Sequence, residues 1–396
     1  MRRSILLVLA AVLLAAPVGV ALAHGKRARP STPHVAGPRS TSNQSPHYRF
    51  SSRERGVRAS TIHFRCAADS TSLRPCPRVY QAQLTVGSHV LAVQAVDRRG
   101  RKSRIARVRI TITKPTPPGA EVVATIHMPA AADPEWIAGD ASAVWVHTPD
   151  HVVRVDPASN TVAAQISTPS IQYGYMASGA GAVWQADFAG ESLLRIDPST
   201  NMVVATIDLG SAPEGVAVAG GAVWVAEHED GTVVRIDPAT NAVVATITVG
   251  PPGSGGPLEM AGGATGIWVN VPNESRVVHV DTSTNSVVGF VDESGQPIVD
   301  GTSVWVETGG GLDRIDPATA KIVAHIATPA GNAWGAAGLG SVWVTTYQGL
   351  VRVDEATNQI VGVLPNVPKG DLAIAAGSVW LAGYGTATLL RLQPVG

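Results

Sequence analysis

Cysteine is almost absent from this chain of 396 residues. Only Cys66 and Cys76 are present, and neither is flanked by histidine or further cysteine. Two isolated thiols make a poor metal site, so the plain expectation in an exported protein is one disulfide that closes a short loop. The position just after residue 23 also lacks cysteine, which argues against a lipid anchor.

Long apolar runs are absent after residue 23. The first residues, MRRSILLVLAAVLLAAPVGVALA, join a basic start, an apolar stretch and an Ala-Leu-Ala end. This order predicts a secretory signal peptide over 1–23. Residues 5–23 are nearly long enough to span a bilayer, so an uncleaved anchor is the alternative. We expect a secreted, periplasmic or envelope-associated protein, without an integral membrane segment once the signal is cleaved.

The chain has no net charge, because 30 Lys and Arg balance 30 Asp and Glu. The two signs are nevertheless separated. Residues 24–120 hold 19 Lys and Arg against three acids, near +16, whereas residues 121–396 hold nine against 27, near −18. Such asymmetry concerns partners and long-range fields rather than fold.

The first 120 residues divide by composition. Residues 24–45 are basic and rich in Pro and Ser with little to bury, which predicts a disordered basic linker. Residues 46–113 alternate with a period of two between Gly-, Ser- and Pro-rich breaks, which predicts a small antiparallel β-sandwich. Residues 114–120, KPTPPGA, are typical of a stiff Pro-rich linker.

Tryptophan marks a repeat in the remaining chain. Seven Trp residues follow one another at intervals of 37 to 44 residues: Trp145, Trp184, Trp224, Trp268, Trp305, Trp343 and Trp380. A second phrase follows most of them, as in RIDPSTN (195–201) and RIDPATN (235–241). A period near 40 built only of short apolar strands predicts a β-propeller, and each unit reads as four strands.

The ends of the array predict how the ring closes. The seventh unit stops after its third strand, whereas EVVATIHMP (121–129) repeats the fourth-strand phrase of NAVVATITVG (241–250). If the first strand completes the last unit, no free sheet edge remains. The sequence therefore predicts an all-β protein, with a seven-bladed propeller over 121–396 closed by this exchange of strands.

Two family resemblances follow from these phrases. The repeat AVWV…VVRIDPATNAVVATITVG resembles the extracytoplasmic YVTN-type β-propellers of bacteria and, more distantly, the seven-bladed virginiamycin B lyase family. Residues 64–101 are similar to bacterial Ig-like modules, which pair two cysteines across a hairpin and carry the phrase formed here by Gly87, Ser88, His89, Ala95 and Asp97. That likeness implies a spacer or adhesion module, here unusually rich in arginine.

Repeated charged residues have a structural interpretation. The Asp of each RIDPATN phrase caps a turn, where Pro presets φ and Asn tolerates the left-handed conformation. The Arg two residues before each Asp is expected to bridge neighbouring blades. Metal binding by a ring of these Asp residues is the less favoured alternative.

Residues that interrupt the repeat are the better candidates for a site. Ligands of propellers usually bind at the loops that lead into the first strand and those that join the second and third strands; we call this face the mouth. Both non-repeat Trp and all four Tyr of 121–396 fall there, together with acids. We therefore predict a ligand surface for a small molecule, glycan or peptide, without a required cofactor, at Glu135, Trp136, Tyr173, Tyr175, Glu214, Glu259, Asn332, Trp334, Asp371, Tyr347 and Tyr384. Channel-plugging is the alternative for the two Trp.

A magnesium-dependent lyase is the alternative function. The lyase family's elimination uses a His base and nearby acids on the same face. In this chain His147, His228, Glu259 and Glu307, with Glu227, could supply such groups, but no contiguous motif matches the family's catalytic residues, and a solvated acidic loop is the favoured interpretation of residues 227–230. The basic residues at 98–110 predict an anionic envelope partner, with nucleic acid less expected; docking on the acidic propeller is the other interpretation.

Overall fold

The structure is a computed structural model. It describes residues 29–41, 43–55, 57–113, 117–129, 132–171, 173–253, 255–329, 331 and 334–395. The chain separates into two compact units, Met1–Pro115 and Thr116–Gly396. The predicted signal peptide lies outside the described residues. Within them, no helix is long and apolar enough to cross a membrane.

The first unit consists of two sheets around one core. Its strands are β1 His34–Ala36, β2 Ser40–Thr41, β3 His47–Ser51, β4 His63–Ala68, β5 Arg74–Cys76, β6 Val79–Gln81, β7 Gly87–Val96 and β8 Ala106–Ile112, with a 3-10 turn at Ala59–Thr61. One sheet has the order β1-β3-β6 and the other β2-β8-β7-β4-β5. Alternate residues of both sheets, among them Phe50, Phe64 and Leu91, form the shared core, as the period-two alternation predicts.

Part of the segment predicted as a disordered linker, residues 24–45, is ordered in this structure. Strand β1 pairs with β3, and β2 pairs with β8 in a parallel ladder within an otherwise antiparallel arrangement. Val35 is only 5% exposed and belongs to the core. One apolar residue in a polar stretch carries no periodic signal, so this ordering comes from tertiary contacts.

Two cross-links hold the edge of the larger sheet. Cys66 and Cys76 form the expected disulfide, which joins β4 to β5. His89 Nδ1 lies 2.5 Å from Asp69 Oδ2, and His89 Nε2 lies 2.7 Å from the Thr85 carbonyl oxygen. The other oxygen of Asp69 accepts a hydrogen bond from the Val90 amide. The phrase GSH at 87–89 thus has a structural use, because its His89 ties the loop after β4 to β7.

The second unit contains seven four-stranded antiparallel sheets in its described part. Strand β9 Ala120–His127 is followed by β10 Ile137–Gly139, β11 Val144–Thr148, β12 His151–Asp156, β13 Thr161–Ser167, β14 Met176–Gly179, β15 Ala182–Asp187, β16 Ser192–Asp197, β17 Met202–Asp208, β18 Pro213–Ala219, β19 Ala222–Glu227, β20 Thr232–Asp237, β21 Ala242–Thr248, β22 Met260–Gly263 and β23 Gly266–Val271. After a 3-10 turn at Pro272–Glu274 come β24 Arg276–Asp281, β25 Ser286–Val291, β26 Gln296–Asp300, β27 Ser303–Glu307, β28 Gly311–Asp316, β29 Lys321–Ala327, β30 Gly335–Gly338, β31 Ser341–Thr346, β32 Gly349–Asp354, β33 Gln359–Leu364, β34 Gly370–Ala375, β35 Ser378–Gly383 and β36 Thr388–Pro394.

Six sheets are built from four consecutive strands, and we number them 1 to 6 from β10 onward. Sheet 7 has the order β34-β35-β36-β9, so the first strand of the unit completes the last sheet. Ile126 of β9 pairs with Leu389 of β36. The first strands of successive sheets contact one another, and β34 of sheet 7 contacts β10 of sheet 1. The predicted exchange of strands is therefore present.

Each seam between neighbouring sheets contains one of the repeat tryptophans. Trp145 of sheet 1 packs on Val183 of sheet 2, and Trp380 of sheet 7 packs on Val144 of sheet 1. All seven repeat Trp side chains are completely buried. The second strands are buried on both faces, whereas the fourth strands are largely exposed. Hydrophobic burial by these tryptophans and second strands therefore concentrates in the seams and decreases toward the rim.

The repeated arginines also act across the seams. Arg195 lies over Trp184, and its Nη1 donates to the Pro238 carbonyl and to Asn241 Oδ1, both at 2.7 Å, in the turn of sheet 3. Arg391 makes the same pair of bonds to Pro157 and Asn160, at 2.6 and 2.9 Å, from sheet 7 to sheet 1. Hydrogen bonds to charged groups contribute about 1.5–3 kcal/mol. The repeat arginine is thus a bridge between sheets, as interpreted from the sequence.

The seam between sheets 4 and 5 departs from this pattern on both sides. In sheet 4 His279 replaces the arginine and stacks on Trp268 with ring centroids 4.1 Å apart. In sheet 5 Ala320 replaces the turn asparagine, at φ +51°. His279, Phe290 and Ala320 line a cleft of about 340 Å³ between these sheets. This seam therefore lacks both the arginine donor and the asparagine acceptor that form the bridge elsewhere.

Candidate functional site

A pocket of about 640 Å³ opens at the mouth. Its lining combines four aromatic rings, a carboxylate and smaller side chains: Glu135, Trp136, Pro149, Ser170, Ile171, Tyr173, Trp334 and Tyr384. Tyr173 and Tyr384 are 61% and 59% exposed, whereas Trp136 and Trp334 are half-buried. Rings that stay partly exposed at a concave surface supply apolar area to a ligand rather than to the core.

Backbone pairing fixes the Glu135–Trp136 segment against sheet 1. The Glu135 amide donates to the His147 carbonyl at 3.1 Å, and the His147 amide donates to the Trp136 carbonyl at 2.8 Å. The loop before β10 is therefore a short extension of the ladder with β11. A segment held in this way presents its side chains from a rigid support, which favours a preformed pocket.

Glu135 and His147 form a close pair behind the pocket. His147 Nδ1 lies 3.3 Å from Glu135 Oε2, with the imidazole completely buried. The contact lacks hydrogen-bond geometry, so Glu135 Oε2 and both ring nitrogens of His147 have no hydrogen-bond partner in the described part of the chain. Buried polar atoms without partners are uncommon in native structures. This pair is thus a buried polar feature of the mouth that the described residues leave without hydrogen bonds.

Aromatic side chains extend from this pair along the mouth. Trp136 lies 5.2 Å from His147, 6.4 Å from Tyr173 and 5.6 Å from Tyr175 between ring centroids. Phe188 continues the series, 6.4 Å from Tyr173 and 6.3 Å from His228. Trp334 and Tyr384, from the neighbouring sheets 6 and 7, lie 6.4 Å apart. These distances are those of interacting rings.

A second group of the predicted residues lies outside the pocket, at a space among the first strands of the sheets that we call the channel. Tyr175 and Asp371 line a space of about 270 Å³ together with residues of the first strands. The Tyr175 hydroxyl donates to Glu259 Oε1 at 3.4 Å, and Asn270 Nδ2 donates to Glu259 Oε2 at 2.8 Å. Asp371 accepts hydrogen bonds from the Ile137 and Leu372 amides.

Burial perturbs the titration of these channel groups. It raises the pKa of Glu214 to about 7, with a contribution from the neighbouring charge of Glu259. Burial also raises the pKa of Asp371 to about 7, against the lowering effect of its two backbone hydrogen bonds. The pKa of Tyr175 is raised by burial and by the nearby acids. Perturbed groups in a concave site are functional candidates.

The residues of the lyase alternative have different neighbours. His147 contacts Glu135, His228 Nε2 accepts a 3.4 Å hydrogen bond from the Gly255 amide, and Glu307 accepts one from the Gly309 amide. Glu227 accepts a 2.5 Å hydrogen bond from Thr232, and burial raises the pKa of its carboxyl. In the described part of the chain no three His, Cys, Asp or Glu side chains are grouped as metal ligands.

Positive charge is scarce at the mouth. Six of the nine Lys and Arg after residue 120 are the repeat arginines at the seams. Arg276 pairs with Glu274 and Asp292. Lys321 begins β29 and lies across from Asp316 of β28. Lys369 Nζ lies 4.1 Å from the ring centroid of Tyr347, which is 78% exposed.

The predicted ligand surface therefore separates into parts. Glu135, Trp136, Tyr173, Trp334 and Tyr384 meet at one pocket, whereas Tyr175, Glu214, Glu259 and Asp371 belong to the channel. Tyr347 stands beside Lys369, and Asn332 lies outside the described residues. Pro149, Ser170 and Ile171 of the pocket were missed, because small and aliphatic residues in a loop carry no signal that distinguishes lining from packing.

Comparisons with known proteins extend only to the fold. No family model matches the chain, and no curated protein is similar to it in sequence. Among solved structures, hydrazine synthase of Kuenenia stuttgartiensis is similar at a TM-score of 0.56 and 12% identity, over 68% of this chain and 97% of that one. The fold is β-propeller-like. At this identity the likeness carries no function, since one fold hosts many activities.

Proposed function

We propose that this chain is an exported seven-bladed β-propeller with an N-terminal Ig-like module, and that its mouth binds a ligand. The resemblance to YVTN-type propellers, the seven sheets and the exchange of strand β9 support the architecture. The signal-like start of the sequence and the Cys66–Cys76 disulfide support export. Binding rather than catalysis is the role that the mouth favours.

The pocket carries this proposal. Four aromatic rings from three separated loops and sheet 7 converge on about 640 Å³ around one carboxylate. This combination suits an apolar or planar face together with a polar group, as in a glycan, a peptide side chain or a small organic cation. The volume lies in the range of small-molecule sites.

Calorimetric titration of the mature protein with a monosaccharide, a tripeptide and choline tests the proposal. Trp136→Ala combined with Trp334→Ala is expected to abolish capture of whichever probe binds, while the thermal unfolding transition persists. Phe290→Ala, an exposed ring on the outer strand of sheet 4, is the matched control and should leave binding unchanged. If the double variant binds as the unaltered protein does, the pocket is not the ligand site.

The basic module is proposed to tether the protein to an anionic envelope polymer. On the larger sheet of the first unit, Arg107 and Arg109 alternate with inward residues and pair across from Ala92 and Val90. Both arginines are exposed. Arg65 lies on the same outward face of β4, so three cations share it; Asp69, which lines a cleft together with Arg107, is hydrogen-bonded to His89.

Retention on immobilised polyphosphate tests the tether. Arg107→Gln with Arg109→Gln should elute the protein at clearly lower salt, because each lost phosphate contact reduces the salt dependence. Arg49→Gln, exposed on the other sheet, serves as the control. Equal elution of all three proteins would argue that this face is not used.

A magnesium-dependent lyase is the second candidate. The pKa values near 7 of Glu214 and Asp371 favour it, since groups that titrate near neutral pH suit general acid–base chemistry. Thermal unfolding with magnesium, calcium or a chelator discriminates. A ligand at 100 times its Kd adds about 2.7 kcal/mol. A magnesium shift that is lost in His228→Ala and Glu259→Gln would favour the lyase over simple binding.

A further inference from the structure

We propose that the mouth pocket is selective for an organic ammonium cation, held against Trp136, Tyr173, Trp334 and Tyr384 with Glu135 as its counter-charge. The inference rests on the proposed ligand-binding function and narrows it to one chemical class. Neutral sugars and anions are the ligands that it excludes.

The walls of the pocket are the first argument. Four rings from different loops surround one space, and the faces of Trp and Tyr are electronegative. A tetrahedral ammonium group can contact several ring faces at once, whereas a planar sugar face stacks on one or two. Four rings that line one cavity from four consecutive sheets therefore favour a compact cation.

The carboxylate is the second argument. Glu135 lines the pocket with 22% of its side chain exposed, whereas its Oε2 is buried without a hydrogen-bond partner among the described residues. Its nearest polar neighbour is Nδ1 of the buried His147, at 3.3 Å without hydrogen-bond geometry. No Lys or Arg belongs to the described lining of the pocket. The exposed part of this carboxylate would attract a cationic ligand and repel an anion.

The surrounding charge is the third argument. Glu214, Glu259 and Asp371 lie at the adjacent channel, where the raised pKa values of Glu214 and Asp371, about 7, make these two carboxyls predominantly negative only above neutral pH; the repeat arginines are engaged at the seams. Low-dielectric clefts lined by charge of one sign concentrate ligands of the opposite sign. The mouth also holds one internal example of the proposed contact, because Lys369 places its ammonium over the Tyr347 ring.

Paired probes of equal shape test the proposal. Choline and its uncharged carbon analogue, 3,3-dimethylbutan-1-ol, are titrated by calorimetry into the mature full-length protein at low ionic strength. Choline is expected to bind at least tenfold more tightly than the analogue. Glu135→Gln should weaken choline by about tenfold and leave the analogue unchanged, and Trp136→Leu should weaken both.

Glu121→Gln is the matched control, since it makes the same chemical change on the exposed outer strand β9. Equal binding of the two probes, or a loss in Glu121→Gln as large as in Glu135→Gln, would overturn the ammonium proposal while the ligand pocket stands. If neither probe binds but a monosaccharide does so in a Trp136-dependent manner, the cation is again excluded. If no probe of any class binds, the proposed function fails with it.

Discussion

Single residues in the repeat turns adopt a conformation that depends on their side chains. Asn160, Asn201, Asn241, Asn285 and Asn358 end the turn between the third and fourth strands at φ values between +52° and +59°. Asparagine tolerates this region because its short amide can bond locally. Ala320 stands at the equivalent position in sheet 5 without that compensation.

Replacement of Ala320 by glycine is therefore expected to stabilise the protein. An L-residue in the left-handed conformation costs about 1–2 kcal/mol. Glycine avoids this cost, but its greater chain entropy in the unfolded state offsets roughly half of the gain in stability. The midpoint of thermal unfolding should increase by about 2 °C. Ala318→Gly, in the same turn but without a positive φ, should not increase it. A decrease in Ala320→Gly would contradict the assignment of strain.

His89 gives the first unit a dependence on pH. Both ring nitrogens face acceptors, so the imidazole donates twice; the hydrogen bond to Asp69 raises the pKa of His89. Burial alone would raise the pKa of Asp69, but hydrogen bonds from His89 and Val90 hold it below its usual range. The stabilisation is full below the ordinary histidine pKa of about 6.5. It is lost as pH rises through the folded pKa of His89, and at the acid end as pH falls through that of Asp69.

Unfolding of the mature protein between pH 5 and pH 9 checks this expectation. The first unit should lose stability relative to His89→Gln as the pH rises beyond neutrality. His47→Gln, an exposed histidine on β3, is the control and should follow the unaltered protein. Parallel profiles for the unaltered protein and His89→Gln would show that the pair carries no such dependence.

At the scale of elements, we expect β9 to stabilise sheet 7 as much as the fourth strand of any other sheet stabilises that sheet, although β9 comes from the other end of the unit. Ile126 of β9 is buried in the seam between sheets 7 and 1, and Ile247 of β21 has the same place in sheet 3. Replacement of either by alanine leaves a cavity and costs about 2–4 kcal/mol. The two losses, measured by chemical denaturation, should agree within about 1 kcal/mol. A negligible loss for Ile126→Ala alone would mean that the exchange contributes little.

The seam between sheets 4 and 5 should accept the bridge that it lacks. His279→Arg places the repeat donor, and Ala320→Asn places its acceptor. In a double-mutant cycle the pair is expected to show a favourable coupling of about 0.5–1.5 kcal/mol, within the usual range for contacting residues. The existing bridge Arg195–Asn241 supplies the reference cycle. Additive effects at the new pair would show that the seam is too wide for the contact.

At the scale of the whole molecule, the ring brings acids from distant sheets to one channel. Because the folded pKa values of Glu214 and Asp371 are raised to about 7, the folded state binds more protons than the unfolded state below that pH. Their contribution to stability therefore falls as pH rises from about 4 to 7 and is constant above. Each pKa unit corresponds to about 1.4 kcal/mol.

Asp371→Asn should remove part of this fall. Relative to the unaltered protein, the variant is expected to gain at least about 1 kcal/mol of stability between pH 5 and pH 8. Asp292→Asn, whose side chain is 82% exposed, is the matched control and should show no such gain. Urea denaturation at the two pH values is the measurement. A constant difference for Asp371→Asn would exclude its raised pKa.

The sequence by itself determined the all-β class, the four-strand period, the turn residues and the place of β9. These are local patterns, in which strand alternation and turn chemistry are written in neighbouring residues. It also predicted the aromatic residues of the pocket, because they interrupt the repeat.

Only the tertiary structure decided how those residues divide between pocket and channel. Trp334 faces Tyr384 fifty residues later, and Glu135 meets His147 across a strand pair. The same holds for β1, whose one buried valine is ordered by the core of the first unit. Such contacts depend on the curvature and register of sheets far apart in the chain, and no local pattern records them.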